Sequence, residues 1–412
     1  MNLLTKQSTV LIATFSPHRR GKRLATNGMI EPMLSFFVSK TKKTVLIDQP
    51  YPGSDVLMPQ IEIYENGKQT KTRSSSKIFY VIYPFLKSVN YDATHVSFKI
   101  RDFFSVIDYA FKDKTRFDYF IGLEAINTLA GLILRKIGRV KNVIYYVSDY
   151  SPIRYGKTFF NSLYLYLDRF CVKHADFTWD VSPAMQKARI KAGLNPDKRY
   201  NILNVPNALF PSQIGVLPIP RRTPYSLVFM GTLDDINGVD LAMIALKEVK
   251  KKQQKATLHI IGGGEDNLSR LRRFAKKLHL EDSVKFYGFI PKLEDMAKII
   301  RGCSIGLAPY RALWRSERWF GDAGKIRNYL AAGLPVVTTH VPPLGKEIVE
   351  KGAGIMVKDT TQDLSKAILK LMTDPSLYAK LAKSAKKLSK NNVWENVYSN
   401  AFKEMHKLIR NR

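Results

Sequence analysis

The stretch "GDAGKIRNYLAAGLPVVTTH", from Gly321 to His340, carries the local signals of an α/β unit. Residues 324–332 place apolar side chains at helical spacing, and Gly333 with the proline two residues later marks the end of that helix. Val336 then begins an apolar run typical of a buried strand. Lys325 lies at the mouth of the helix, where its charge opposes the helix dipole. A lysine in that place indicates a bound anion.

Short apolar runs separated by helical segments recur along the chain, a rhythm that predicts buried parallel strands in β-α-β order. Residues 127–138 are an example of the helical segments, and the polar residues 66–77 are predicted to form a loop. The predicted strands are 8–15, 44–50, 117–123, 142–149, 226–231, 256–264, 284–289, 304–310 and 335–340. The fold class is therefore α/β, built from Rossmann-like units.

The length of 412 residues is too great for one ordinary domain and favours two. Residues 206–224 contain five prolines and little periodicity, so they are predicted as a linker. This divides the chain into an N-terminal Rossmann-like domain, 1–205, and a C-terminal one, 225–385. Residues 386–412 place apolar side chains on one stripe and are predicted as a closing amphipathic helix.

The chain is strongly basic, with 66 Lys and Arg against 35 Asp and Glu and a net charge of +31. Such a surface suits anionic lipid, phosphorylated substrates or nucleic acid, unless it only reflects a lineage with basic proteins. Nucleic acid is the weaker interpretation, because no nucleic-acid motif and no aromatic–basic repeat is present. A nucleic-acid-binding protein nevertheless remains an alternative.

Two cysteines, Cys171 and Cys303, show no metal-ligand spacing, so we expect no metal. They suit a reducing cytoplasm. The N-terminus resembles a first strand and lacks the features of a signal peptide. No apolar run approaches the roughly 20 residues of a membrane-spanning helix. We therefore expect a cytoplasmic protein, with peripheral attachment to the inner face of the cell membrane as a further expectation.

Three glycine-bearing loops follow predicted strands of the C-terminal half. Gly231 follows the first, Gly262, Gly263 and Gly264 follow the second, and the loop with Asp322 and Lys325 follows a third. In open α/β sheets ligands bind beyond the carboxyl ends of the strands, and glycines there allow close approach to phosphate. The three loops together predict a site for a phosphorylated ligand. Tight strand-to-helix turns are the alternative for any one of them.

The C-terminal half resembles the donor domain of GT-B glycosyltransferases of the family 4 and family 1 kind. The resemblance rests on "LVFMGTL", "LHIIGGGE", "VKFYGFI", a strand ending "APY" and, above all, "KIRNYLAAGLPVV". It covers residues 225–360, and the N-terminal half only by arrangement. It implies two Rossmann-like domains facing a cleft, with the C-terminal helix crossing back.

The resemblance also implies which residues contact a nucleotide-diphospho sugar. They are Gly231, Thr232, Gly262, Gly263, Gly264, Phe289, Ile290, Asp322, Lys325 and Asn328. Four family positions differ here. Asn328 replaces the ribose-binding glutamate, Phe320 replaces the glutamate eight residues earlier, and Thr232 and Asn237 replace an arginine–lysine pair. Arg315, Arg318 and Arg327, together with Lys325, could supply the missing cations.

Two acids of the N-terminal half are candidate catalytic residues. Asp149 follows the predicted strand 142–149, and Glu124 ends the strand before it. A carboxylate facing the substrates can take the proton from an acceptor hydroxyl. The alternative for Asp149 is a loop acid that orders the turn after it.

The expected function is transfer of a sugar, of the hexosyltransferase type, from a nucleotide-diphospho sugar to a lipid-linked, polysaccharide or glycan hydroxyl. We expect no cofactor and no metal requirement, and an anionic membrane surface as a partner. Inversion and retention both stay open. The alternatives are a non-catalytic GT-B relative, a nucleotide-sugar epimerase and the basic nucleic-acid-binding protein.

Overall fold

The computed structural model describes residues 4–23, 28–51, 53–74 and 91–410, with side chains from Phe98 onward in the last range. The chain forms two compact units. Unit 1 comprises Met1–Val205 and Tyr398–Arg412, and unit 2 comprises Pro206–Val397. The segment predicted as a linker, 206–224, is thus part of unit 2, and the last helix contributes most of its length to unit 1.

Unit 1 is built on a sheet in the order β10-β9-β8-β7-β1-β4-β5-β6, in which only the pairs β4–β5 and β5–β6 are antiparallel. Its strands are β1 Thr9–Ser16, β4 Lys43–Pro50, β5 Gln60–Glu65, β6 Lys68–Ser74, β7 Phe117–Leu123, β8 Val140–Val147, β9 Phe177–Asp180 and β10 Ile202–Asn204, with a small ribbon of β2 His18–Arg19 and β3 Lys22–Arg23. Its helices are α1 Ile30–Val38, α2 Tyr91–Lys112, α3 Glu124–Lys136, α4 Phe159–His174 and α5 Pro183–Lys191.

The two faces of the unit 1 sheet are covered by different helices. Helices α2 and α3 pack on one face around Phe120, and a Cβ at Gly131 of α3 would overlap the Phe120 ring. The other face meets α1 and the last helix through aromatic side chains. Phe37 lies 5.9 Å from Phe402, and Trp179 stacks on Tyr398 at 5.9 Å between ring centroids. Large buried aromatic side chains contribute strongly to such a core.

Unit 2 has a parallel sheet in the order β13-β12-β11-β14-β15-β16. Its strands are β11 Ser226–Met230, β12 Thr257–Ile261, β13 Val284–Gly288, β14 Ile305–Ala308, β15 Val336–Thr339 and β16 Gly354–Val357. Its helices are α6 Val239–Lys250, α7 Glu265–Leu278, α8 Leu293–Gly302, α9 Gly324–Ala331, α10 Pro343–Glu350, α11 Thr361–Thr373 and α12 Pro375–Ser389; the last helix of the chain, α13, is Trp394–Arg410. Both sheet faces are buried, as parallel sheets require.

The structure confirms the nine predicted strands, with ends that differ by at most three residues. Two features differ from the prediction. Residues 68–74 pair with β5 as a polar edge strand, so the loop predicted at 66–77 was wrong for that part; residues 75–77 lie outside the described residues. The helix predicted at 386–412 begins only at Trp394, because α12 ends at Ser389. None of the described helices has the length and apolar composition to cross a membrane.

A buried ion network lies at the end of the unit 1 sheet. Arg189 of α5 is fully buried and pairs with Asp168 of α4, at 2.8 Å from Nε to Oδ2, and with Asp180 at the end of β9. The hydroxyl of Tyr145 donates to Asp168 at 2.8 Å, and the Arg189 guanidinium lies 4.8 Å from the ring centre of Tyr150. One cation thus joins two helices, a strand end and the turn that contains Asp149.

Replacing Arg189 by methionine should destabilise unit 1 by roughly 3–5 kcal/mol, because two carboxylates would stay buried without their cation. The loss should shrink as the pH falls, since protonation removes the unpaired charges. Urea unfolding at neutral and acidic pH measures both effects. Lys187→Met on the exposed side of α5 is the matched control and should change stability by less than about 0.5 kcal/mol. Equal stability of the two variants would contradict the structural role of Arg189.

Candidate ligand site and candidate catalytic acids

The loops after the strands of unit 2 all leave the same edge of the sheet, because the strands are parallel. In sheets of this kind that edge is where ligands bind. Gly231 follows β11, the glycines 262–264 follow β12, Phe289 follows β13 and the loop 309–323 follows β14. The predicted donor residues are therefore brought to one edge.

The backbones of three of these loops approach each other so closely that a Cβ at Gly262 or Gly263 would overlap atoms of a neighbouring loop. A Cβ at Gly262 would overlap the carbonyl oxygen of Gly231, and a Cβ at Gly263 would lie 2.8 Å from Cβ of Phe289. Gly262 also donates its N–H to the carbonyl of Gly288 at 3.0 Å. Gly231 has a φ of 135°, a conformation that other residues rarely adopt. The glycines therefore leave an edge lined by backbone, with little side-chain bulk.

Lys325 lies in the first turn of α9, and its side chain is buried against this edge. Its Nζ donates to the side-chain oxygen of Asn237 at 3.1 Å, and it lies 4.1 Å from the ring centre of Phe229 and 4.5 Å from that of Tyr310. A Cβ at Gly231 would come within 3.3 Å of the Lys325 Cε. Lys325 is 4 % exposed, and within the described part of the chain no carboxylate forms an ion pair with it. Two aromatic faces and one amide oxygen thus hold a buried ammonium group.

The electrostatics of this ammonium group favour an anion. Burial lowers the pKa of Lys325 well below its usual value, the charge of Arg318 lowers it further, and Asp234 opposes the shift. The uncapped N-terminus of α9 adds positive potential at the same place, since Ala323 offers no side-chain cap. An arriving phosphate would relieve both the burial cost and the repulsion.

Asn237 explains how Lys325 is aimed. The Asn237 amide nitrogen donates to Asp234 Oδ1 at 2.8 Å, so its oxygen must point toward Lys325. Position 237 is where the family pattern has a lysine, and the ammonium of Lys325 lies beside it. Helix α9 thus places the Lys325 ammonium group close to position 237, where the family pattern has a lysine.

Asp322 does not project toward the edge. Its carboxylate forms a bidentate ion pair with Arg327, at 2.6 and 2.9 Å, and accepts a bond from the backbone N–H of Asn207 at 2.8 Å. The side chain of Asp322 is 3 % exposed. Asp322, which was predicted to contact the donor, and Arg327, which was named as a possible replacement cation, therefore bind each other, and Asp322 also binds the 206–224 segment.

Asn328 is also occupied within unit 2. Its amide nitrogen donates to the carbonyl of Gly324 at 3.0 Å, and its oxygen accepts from the Gln213 side chain at 3.1 Å. The oxygen of Gln213 in turn accepts from the Phe210 N–H at 3.0 Å. An amide fits here because it donates and accepts at once, whereas a carboxylate would face the Gly324 carbonyl without a proton. Both polar atoms of Asn328, which was predicted to contact the donor, thus have partners within unit 2.

The remaining predicted residues lie at the surface of the edge. Thr232 is exposed, Ile290 is half-buried and Gly264 forms the N-cap of α7 with a φ of 101°. Phe289 is 53 % exposed, an unusual position for a large aromatic side chain so close to backbone glycines. It offers a flat apolar surface at the rim.

Two acids at the corresponding edge of the unit 1 sheet share one arginine. Glu124 begins α3 directly after β7, with a φ of 64°, which is strained for a residue with a side chain. Its carboxylate lies 3.3 Å from Lys99 and 3.3 Å from Arg154. Burial raises the pKa of Glu124, but these two cations outweigh it and the pKa is lowered. Glu124 is thus an ionised, weakly basic carboxylate.

Asp149 lies two residues beyond β8 and is half-buried. Arg154 donates to its backbone carbonyl at 3.3 Å, and the Asp149 carboxylate helps to raise the Arg154 pKa. Because β7 and β8 are neighbours in the sheet, the two candidate acids lie on adjacent loops. The structure therefore brings Asp149 and Glu124 to one edge, joined by Arg154.

Sequence reasoning did not single out Tyr310, Lys99 or Arg154. Lys99 and Arg154 are far apart in the chain and meet Glu124 only through the packing of α2 and the loop before α4. The described residues contain no group of three or more His, Cys, Asp or Glu side chains placed to hold a metal ion.

Residues 224–374 match the family model described as glycosyl transferases group 1. Glycogen synthase of Mycobacterium tuberculosis is 24% identical over 181 residues, a stretch that is 43% of this chain and 41% of that protein. The chain thus aligns with less than half the length of the curated relatives it matches.

Two solved structures share the fold of nearly the whole chain. HepE of Anabaena, solved with UDP, has a TM-score of 0.67 at 14% identity, covering 98% of this chain and 100% of that one. Sucrose-phosphate synthase of Thermosynechococcus elongatus has a TM-score of 0.67 at 14% identity, covering 98% of both chains. The fold is therefore that of GT-B glycosyltransferases, as the sequence predicted.

Replacing Lys325 by methionine should stabilise the ligand-free protein by roughly 1–3 kcal/mol, because a buried charge without a carboxylate is removed at similar volume. The folded pKa of Lys325 lies below its unfolded value, so the folded state binds the proton more weakly. The cost is fully present below the folded pKa and disappears as the pH rises toward the unfolded value near 10.5. The stability gap between variant and wild type should therefore narrow on the alkaline side. Urea unfolding across pH checks this, and a variant that is less stable at neutral pH would contradict it.

Proposed function

We propose a sugar-transfer reaction for this chain, and the proposal is supported by the match of residues 224–374 to the family model described as glycosyl transferases group 1. The observation that carries the proposal is the buried ammonium group of Lys325 at a glycine-lined sheet edge, with no carboxylate paired to it among the described residues. A nucleoside diphosphate sugar supplies the anion that this site lacks. The donor would be a UDP-linked hexose, which is supported by the HepE structures with UDP and with UDP-glucose.

The diphosphate would lie over the edge formed by Gly231, Gly262 and Gly263, where the backbone allows close approach. Lys325 and Arg318 would neutralise its charge, Arg318 being close enough to lower the Lys325 pKa. These two side chains take the place that a metal ion holds in other phosphate sites, so we expect no cofactor or metal requirement.

The base and ribose would lie along the rim of the same edge. Phe289 offers an exposed ring to the base, Ile290 packs beside it, and Thr232 and Gly264 line the approach. Asn328 and Asp322 would act only by holding α9 and the loop before it, because their polar atoms are occupied.

The acceptor would bind unit 1, and it would be a glycan, polysaccharide or lipid-linked hydroxyl compound. Asp149 would remove the proton of the attacking hydroxyl. The oxygen would then bond to the anomeric carbon as the bond from that carbon to the phosphate oxygen breaks. UDP would leave with the bonding electron pair, and Lys325 would stabilise the negative charge that develops on it. Attack from the face opposite the leaving group inverts the anomeric configuration.

Glu124 is less suited to the role of base than Asp149. Two cations hold its carboxylate and lower its pKa, which weakens its affinity for a proton. We propose instead that Glu124 fixes Arg154, which in turn binds the backbone of Asp149. In the cell, we expect the reaction to take place in the cytoplasm at the inner face of the membrane, where lipid-linked acceptors are found.

Replacing Lys325 by methionine should weaken UDP binding by about ten- to a hundredfold, the equivalent of losing a charged hydrogen bond worth about 1.5–3 kcal/mol. Isothermal titration calorimetry with UDP measures the affinity. Lys346→Met, at an exposed lysine of α10 in the same unit, is the matched control and should bind UDP as the wild type does. A bound anion would raise the Lys325 pKa. At alkaline pH the wild type should therefore take up more protons on binding UDP than the Lys325 variant does.

Unchanged UDP affinity in a folded Lys325→Met protein would contradict the site. Wild-type affinity for UDP without any transfer of hexose to glycan or lipid-linked acceptors would favour the non-catalytic relative. Interconversion of the free nucleotide sugar would favour the epimerase. Binding of random-sequence RNA or DNA at physiological salt, with no UDP binding, would favour the nucleic-acid-binding protein.

Replacing Asp149 by asparagine should leave UDP affinity intact and lower turnover by about a hundredfold or more, the scale of losing a general base. Initial rates with UDP-hexose measure turnover, and proton NMR of the new linkage reads the anomeric configuration. An Asp149→Asn enzyme nearly as active as wild type, with a product of retained configuration, would make Asp149 a turn residue and the reaction a retaining one.

A further inference from the structure

One outer face of unit 1 exposes large apolar side chains on three neighbouring helices, α2, α3 and α4, which pack side by side along the sheet. We call these side chains the apolar face. They are Ile100, Phe104 and Phe111 of α2, Ile133 of α3 with Ile137 just after it, and Phe159, Phe160, Leu163 and Tyr166 of α4. Folded proteins seldom leave so many large apolar groups together in water unless something binds them.

Helix α4 shows the feature most clearly. Phe159, Leu163, Tyr166 and the half-buried Phe170 recur at helical spacing, so they form one stripe along the helix. The opposite side of α4 carries the buried residues Asp168 and Cys171. The ring of Phe159 is 76 % exposed. The stripe is thus additional to the side of α4 that packs on the core.

The charged side chains that are fully exposed on the same three helices have one sign, although Lys112 also pairs with the half-buried Asp108 at 2.8 Å. In the described parts of α2, α3 and α4 every exposed charged side chain is a lysine: Lys112, Lys136 and Lys173. Each lies in the last turn of its helix. Because all three helices lead into the parallel strands β7, β8 and β9, they run in the same direction and end on the same side. The lysines therefore form a row along one border of the apolar face.

We propose that the apolar face docks on an anionic lipid surface. Aromatic and aliphatic side chains would enter the boundary between headgroups and acyl chains, and the row of lysines would contact the anionic headgroups. A row of lysines beside apolar side chains matches the combination of anionic headgroups and acyl chains at a lipid surface, and a second copy of this chain is the alternative that the test separates. This inference deepens the membrane location in the proposed function by assigning it to particular helices.

The test uses the full chain and vesicles of phosphatidylcholine, alone or mixed in equal parts with phosphatidylglycerol. Cosedimentation should show binding to the mixed vesicles that weakens with salt, and little binding to phosphatidylcholine alone. The combined substitutions Phe159→Ser, Leu163→Ser and Tyr166→Ser should weaken binding by at least about tenfold, since each removes a large apolar group from the lipid boundary. The matched control carries Ile219→Ser, Leu293→Ser and Ile409→Ser, three similarly exposed apolar residues outside the apolar face. It should bind as the wild type does.

A second pair of variants separates the contribution of the lysine row from that of net charge. Replacing Lys112, Lys136 and Lys173 by glutamine should weaken binding to mixed vesicles several-fold and reduce its salt dependence. Replacing the exposed residues Lys252, Lys255 and Lys380 of unit 2 changes the net charge equally and should have little effect.

The outcomes separate this inference from the proposed function. If the serine triple variant binds mixed vesicles as strongly as the wild type does, the apolar face is not the docking surface, although the protein still associates with membranes. No binding of wild type to anionic vesicles would overturn both, yet UDP affinity and transfer would remain independent measures of the sugar-transfer reaction. Light scattering measures the molar mass of both proteins. If the wild type is a dimer and the serine triple variant is a monomer, the apolar face binds a second copy of the chain and not a lipid surface. Circular dichroism and UDP affinity confirm that each variant is folded.

Discussion

A buried ammonium group that has no paired carboxylate among the described residues is the constraint on which the loop edge of unit 2 depends. Lys325 lies between two aromatic rings and one amide oxygen, and its neighbours are arranged to admit it. The Lys325 side chain lies close to where a Cβ of residue 231 would be, so glycine fits there. The Asn237 amide nitrogen donates to Asp234, which leaves the Asn237 oxygen facing Lys325. The free energy that it costs to bury this charge would be recovered if an anion binds as proposed, so the cost of folding the site would be coupled to the gain from binding.

The sequence predicted the framework of both units, because buried parallel strands and glycine-ended helices leave strong local patterns. It also predicted an anion site at Lys325 from the position of that residue at a helix start, and this stays a prediction. It did not anticipate the partners of Asp322 and Asn328, because Arg327, Gln213 and the 206–224 segment meet them only after folding. A carboxylate or amide in a motif shows what a side chain can bind, whereas its actual partner depends on packing that no local pattern records.

The same reasoning applies to the acids of unit 1. That Asp149 and Glu124 follow strands could be read from the apolar runs before them. That Lys99 and Arg154 hold Glu124, and so distinguish two similar carboxylates, depends on contacts across 25 and 30 residues of chain. The polar edge strand β6 escaped prediction for a related reason: its residues are all exposed, so it lacks the apolar alternation of a buried strand, and its pairing with β5 appears only in the fold.

The amide at position 328 has a consequence for the stability of α9. A glutamate there has no proton for the Gly324 carbonyl, although its carboxylate would still accept the bond that Gln213 donates. That change alone would therefore remove one hydrogen bond from the first turn of α9 and place a buried charge beside a carbonyl oxygen. The residue at position 328 thus affects the stability of the same helix that positions Lys325.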